Sequence, residues 1–173
     1  MACALTQDYN LDCRDSVGGL KEVYFMELGN LSSFTEASGV VTALTKAAGK
    51  RFYKYQLVKQ TSMFDDTYTG NEENGTNYSA QKLSIVLNKM QANTRNEIQL
   101  LAKNLLVAVA VDRNGKAFLL GATNGLVAKT AKGESGTKMG DRNGYVIEFD
   151  GSEPFMAQEV SSAIVSALTT PGS

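Results

Sequence analysis

Histidine and tryptophan are absent from the 173 residues, and proline and cysteine occur only twice each. Without histidine there is no Ser-His-Asp or Cys-His nucleophilic site, no His-ligated zinc and no imidazole acid-base chemistry. The two cysteines, Cys3 and Cys13, are too few for an all-cysteine zinc site or a disulfide-dense scaffold. Two reduced thiols are expected, with a Cys3–Cys13 bridge as the alternative. No apolar run approaches the roughly 20 residues of a membrane-spanning helix. The opening MACALTQDYN lacks a basic stretch followed by an apolar one, so no secretion signal is expected. The expectation is a soluble protein kept inside a cell, or built into something assembled there, with no membrane partner.

Net charge is also lacking. Seventeen basic residues against eighteen acidic ones leave a formal charge of −1, without the strongly cationic surface that most duplex-binding proteins carry. What is present is an ordinary globular composition, 43% hydrophobic and 20% charged. A chain of this size buries roughly 70% of the surface its unfolded form exposes. Composition is even from end to end, without linker or repeat, so residues 1–173 read as one domain.

Alternation with a period of two marks half-buried strands. Over Arg51 to Lys59, Tyr53, Tyr55 and Leu57 share one face; over Tyr78 to Lys89, Leu83, Ile85 and Leu87 oppose Lys82, Ser84, Val86 and Asn88. EVYFMEL (Glu22 to Leu28), Val40 to Thr45 and GYVIEF (Gly144 to Phe149) read as further strands. LLVAVAV (Leu105 to Val111) is apolar on both faces and suits a central strand. It runs into Asn114-Gly115, which supplies the positive φ of a hairpin turn before Lys116 to Leu120 returns. Phe155 to Leu168 reads as a last strand or a helix. Ser62 to Gly70, with the following loop, reads as an exposed arm carrying Asp65, Asp66, Glu72 and Glu73.

One helix is expected. Thr94 and Glu97 have the spacing of a capping box, and Ile98, Leu101, Ala102 and Leu105 then form an apolar stripe. Strands, one helix and more strands predict a mainly β chain, an antiparallel sandwich or barrel with one flanking helix.

No motif carries chemistry. Gly133-Glu134-Ser135-Gly136-Thr137 has threonine where a nucleophile elbow needs glycine. Ala48-Gly49-Lys50-Arg51 lacks the first glycine and the metal-binding hydroxyl of a phosphate loop. The acids Asp65, Asp66, Glu72 and Glu73 miss the spacing of a calcium loop. Asp12, Asp15, Asp112, Asp141 and Asp150 sit in turn-like contexts where an Asx side chain serves the local backbone. No catalytic residue, cofactor or metal is predicted, and the chain is not expected to be an enzyme. Its work is expected to be that of a surface.

The order of features resembles the tail tube proteins of bacterial viruses. The resemblance is carried by MACALTQDYNLDCRDSVGGLKEVYFMEL, FYKYQLVKQTSMFDD with NGTNYSAQKLSIVLNKM, TRNEIQLLAKNLLVAVAVDRNGKAFLLGATNGL and MGDRNGYVIEFDGSEPF, which together cover most of the chain. It implies a β-sandwich or barrel-like subunit flanked by a helix. Such subunits form six-fold rings that stack into a hollow tube within the virion tail, assembled in the host cytoplasm. The partners implied are further copies of the chain, other tail proteins, and viral DNA passing through the lumen without specific binding. Asp65, Asp66, Glu72 and Glu73 are the candidate contacts to a neighbouring subunit or ring; Asn114, Gly115, Thr94 and Glu97 carry structural roles only. The alternatives are a head decoration or head-to-tail connector protein, and a small ligand-binding barrel whose cavity Tyr53, Tyr55, Tyr78 and Phe118 would line.

Overall fold

The computed structural model describes residues 8–172. The strands in chain order are β1 (Leu20–Glu27), β2 (Leu31–Ala37), β3 (Val40–Lys46), β4 (Tyr53–Gln56), β5 (Met63–Asn71) and β6 (Thr76–Asn88). Helix α1 (Ala92–Lys103) follows, then β7 (Leu106–Asp112), β8 (Ala117–Leu120), β9 (Val127–Glu134), β10 (Gly144–Glu153), β11 (Gln158–Val160) and α2 (Ser162–Ala167). The chain is mainly β, 50% strand and 13% helix, and its two sheets form a sandwich rather than a closed barrel. One sheet has seven strands in the order β2-β3-β11-β8-β7-β1-β4; the other has four, β5-β6-β10-β9. Every pairing is antiparallel except β11 with β3.

The middle strands explain the layering. Along β7, Leu106, Ala108 and Ala110 join one apolar cluster while Val107, Val109 and Val111 join another. Neighbouring β1 divides in the same way, with Val23 and Phe25 on one face and Tyr24 and Met26 on the other. The middle of the seven-stranded sheet is thus buried on both faces, which is why LLVAVAV carries no polar alternation. Between the sheets, Phe25 meets Phe149 at 5.0 Å and Tyr55 edge-on at 5.3 Å, over Leu83, Ile85 and Ile147. On the far face the C-terminal segment makes a third layer, with Phe52 and Leu168 fully buried and Ile164 and Val165 partly so. Each large apolar side chain buried in this way contributes about 1.5–3 kcal/mol. Lys46 fastens this layer, its Nζ donating to the carbonyls of Ala167 (2.8 Å) and Thr170 (2.5 Å) at the end of α2. Burial lowers the Lys46 pKa.

Helix α1 lays Ile98 and Leu101 onto the inter-sheet core beside β9. Its start corrects the sequence reading. The N-cap is Gln91, in extended geometry and without a side-chain cap bond, so Thr94 and Glu97 lie inside the helix. Asn143 sets this start: its carbonyl accepts from Lys89 N–H at 2.7 Å and its Oδ1 from Met90 N–H at 3.3 Å. The chain leaving β6 is held there, Lys89 takes a positive φ of 70°, and the first helical bond closes from Arg95 N–H to Gln91 O.

Four other expectations change. Ser62 to Gly70 is not a free arm; β5 pairs residue for residue with β6, from Met63↔Ser84 to Asn71↔Thr76. The stretch Phe155 to Leu168 divides into both β11 and α2, so the helix count among the described residues is two. Arg51 to Lys59 contributes only four strand residues, because Phe52 turns into the third layer. Strands β2 and β9 were not foreseen. Cys13 is exposed, while Cys3 lies outside the described residues. No described helix is long and apolar enough to cross a membrane.

Candidate assembly surface

The four-stranded sheet has an apolar inner face and a charged outer one, and the register aligns the charges in a row. Asp65 on β5 lies opposite Lys82 on β6, and Lys82 lies opposite Asp150 on β10. Asp150 pairs with Lys129 on β9 at 2.7 Å. The sign alternates across all four strands, the arrangement that cross-strand pairs favour. The hydrogen bond with Asp150 holds the Lys129 ammonium above its ordinary pKa, aided by the same carboxylate's charge. Further along the same face lie Glu148 and the ion pair Lys132–Glu134. The hydrogen bond from Lys132 keeps the Glu134 carboxyl below its ordinary value. Basic and acidic groups thus nearly balance on this face.

Strands β5 and β9 form the edges of this sheet, and an edge strand presents unpaired backbone groups along its outer side. The loop leading into β9 is fixed by a buried carboxylate. Glu153, 4% exposed, accepts N–H groups from Thr123 (3.1 Å), Asn124 (2.8 Å) and Gly125 (3.1 Å). Gln81 Oε1 accepts the preceding Gly121 N–H at 2.9 Å. Gly121 adopts φ +67°, and a Cβ there would come within 3 Å of Leu126 and the Leu106 carbonyl, so the corner requires glycine.

The four acids proposed as contacts are not one patch. Asp65 belongs to the charge row. Asp66 faces the other way, accepting from the Ser79 hydroxyl and, at 2.5 Å, from Ala157 N–H. It ties the hairpin to the β10–β11 connection. Glu72 and Glu73 stand at the exposed β5–β6 tip. Tyr68 and Tyr78 are half-exposed nearby on the two hairpin strands. Lys82, Lys129, Glu148 and Asp150 were missed as members of one surface. The alternation of β6 already placed Lys82 opposite Leu83, but the pairing of four strands is needed to join the rest.

Asn114 and Gly115 lie in the β7–β8 turn, with Gly115 at φ +83°. Asn114 does more than turn the chain. Its Oδ1 accepts Val17 N–H and its Nδ2 donates to Val17 O, both at 2.9 Å, a strand-like clasp on the N-terminal segment. Beyond that clasp Tyr9 and Leu11 are more than nine-tenths exposed. In the β9–β10 connection Asp141 accepts from Lys138 and Thr137 N–H groups, and these hold its carboxyl below the ordinary value. Met139 at the tip of that loop is fully exposed.

The aromatic residues considered for a ligand cavity are dispersed. Tyr53 and Tyr55 line a cleft of about 180 Å³ under α1, where Glu97 also lies. Phe118 packs tilted against Phe64, ring centroids 5.2 Å apart, and Tyr78 is on β6. Ser135 donates to the neighbouring Gly136 carbonyl, and the Gly49 turn bonds to Gly172. Among the described residues no group of three or more acidic or thiol side chains is placed to hold a metal ion. Comparison with protein-family models, curated proteins and solved structures finds no match.

Proposed function

We propose that this chain is a structural subunit whose function is self-association. More specifically, we read it as a tail tube protein of a bacterial virus, forming six-fold rings that stack into the channel through which the genome leaves the virion. The observation that carries this reading is the four-stranded sheet: one face packed on the subunit core, the other polar and charge-balanced, and two long edge strands. Copies completing one another's edges would satisfy the unpaired backbone groups of β5 and β9. They would present the Asp65–Lys82–Asp150–Lys129 row to the enclosed space. A wall that DNA must slide along should not hold phosphates, and alternating charges provide no continuous cationic track. The β5–β6 tip with Glu72 and Glu73, and the loop bearing Met139, project as contacts for the adjacent ring.

Negative-stain microscopy and sedimentation of the purified chain test the reading. Rings or tubes with a central channel are expected at high concentration, or on addition of a tail-initiating complex. A compact monomer under both conditions overturns it. Location along the tail, at a copy number matching tail length, separates a tube subunit from a head decoration or connector.

A further inference from the structure

Four Asn-Gly pairs occur in the chain: Asn74-Gly75, Asn114-Gly115, Asn124-Gly125 and Asn143-Gly144. Asn-Gly is the dipeptide most prone to self-cyclisation, because glycine places no side chain against the attack of its own nitrogen on the preceding side-chain carbonyl. The fold treats the four pairs differently. At Asn114 the side chain is clasped to Val17 and also donates to Asp112 Oδ2 at 2.9 Å. At Asn124 the side-chain amide donates to Ser152 O at 2.7 Å, and the nitrogen that would attack, Gly125 N–H, is buried and bound to the Glu153 carboxylate. At Asn143 the side-chain oxygen holds Met90 N–H, and Gly144 is pressed so tightly on β6 that a Cβ would lie 2.2 Å from Leu87 O. Asn74 differs from all three. It lies at the exposed hairpin tip and its side chain makes no hydrogen bond among the described residues; Gly75, like Gly115, has open space around it, and its N–H makes only a long 3.3 Å contact to Glu72 O.

We propose that Asn74 is a site of spontaneous, water-consuming modification, the one Asn-Gly pair that the folded chain leaves free to form a succinimide. The Gly75 nitrogen gives its proton to solvent base and bonds to the Asn74 side-chain carbonyl carbon. The bond from that carbon to the amide nitrogen breaks, and the nitrogen takes up a proton and leaves as ammonia. Water then opens the ring at either carbonyl, giving aspartate or isoaspartate, with no oxidant or reductant. The product adds one negative charge beside Glu72 and Glu73, and the isoaspartate form also lengthens the backbone of the tip. This reactivity belongs to the free subunit and does not depend on the assembly proposed above.

The test is a time course of the purified full-length chain in mildly alkaline buffer, followed by peptide mapping with mass spectrometry and isoaspartyl methyltransferase labelling. The mass gain of amide-to-acid conversion should accumulate in tryptic peptide 60–82. Asn114, Asn124 and Asn143 should react more slowly by a factor of about ten or greater, since each must first open locally. In urea the four sites should react at similar rates, and Asn74→Gln should remove the signal of the folded chain. The proposal is overturned if Asn74 stays intact while the unfolded chain reacts. It is also overturned if the other three keep pace in the folded protein, or if the urea-unfolded chain shows the same preference.

Discussion

Single side chains set the response of this fold to pH. Burial pushes the Tyr55 hydroxyl up to about 12 from an ordinary 10.0, and the neighbouring Glu97 carboxylate and Tyr53 add to it. The folded state therefore holds this proton more tightly than the unfolded one. The resulting stability is complete below pH 10 and is lost as pH rises from there toward about 12. Tyr55→Phe keeps the edge-on contact with Phe25 and removes the ionisation. Its urea midpoint should fall less between about pH 9 and about pH 11 than that of the parent chain; an identical fall would reject the assignment. Glu22 acts on the acid side. Burial alone would raise its carboxyl, but hydrogen bonds from Lys54 and Tyr24, with the charges of Lys54 and Lys21, outweigh it and leave the pKa below 4.5. The stability it adds is present above that value and is lost as pH falls through the lowered one, so Glu22→Gln should flatten the acid limb of a melting-temperature profile. Glu153 carries a larger single-residue effect that does not depend on pH for its test. Glu153→Ala strands three backbone N–H groups in the loop before β9, and a loss of about 3 kcal/mol is expected in urea unfolding.

At the level of elements, the strongest test concerns β6. Val86 N–H donates to Ser62 Oγ on the β5 side, so the alternation of the strand turns the Ile85 N–H toward Ile147 on β10. Proline at Ile85 removes that ladder bond in the buried centre of the sheet and should cost about 3 kcal/mol or more. A cooperative unfolding transition of parental midpoint would refute the register. Strands of this kind were legible in the sequence because packing and local pattern agree. Leu83, Ile85 and Leu87 alternate, LLVAVAV fills both faces, and Asn114-Gly115 marks a turn. What was not legible depends on distant partners. VAKTAKGE carries no apolar face of its own, and becomes β9 only because β10 pairs with it and Glu153 holds its entry. The start of α1 is dictated by Asn143, more than forty residues away in sequence, and this overrides the Thr94–Glu97 spacing. The candidate surface was half legible for the same reason. The acids of the hairpin could be named, but which of them face solvent is decided by pairing with β6.

Across the whole molecule, that division changes which experiment can reveal assembly. Reversing all four acids would confuse folding with association, because Asp66 accepts the Ser79 hydroxyl and Ala157 N–H, and a lysine there would abolish both bonds. Reversal confined to Glu72 and Glu73 touches only the exposed turn, where surface substitutions usually change stability by no more than about 0.5 kcal/mol. Glu72→Lys with Glu73→Lys should therefore leave the melting temperature of the subunit unchanged while shortening or abolishing tubes. Lys82→Glu offers the complementary change. It sets three acids side by side in the row formed with Asp65 and Asp150, weakening the sheet by roughly 0.2–1 kcal/mol per lost cross-strand pair and leaving Lys129 and Lys132 as the basic groups of a predominantly acidic outer face. If the tip joins successive rings, the first variant should accumulate isolated rings and the second should still stack, a difference that particle lengths in micrographs would measure. Full-length tubes from the Glu72/Glu73 variant would remove the hairpin tip from the contact and direct attention to the Met139 loop instead.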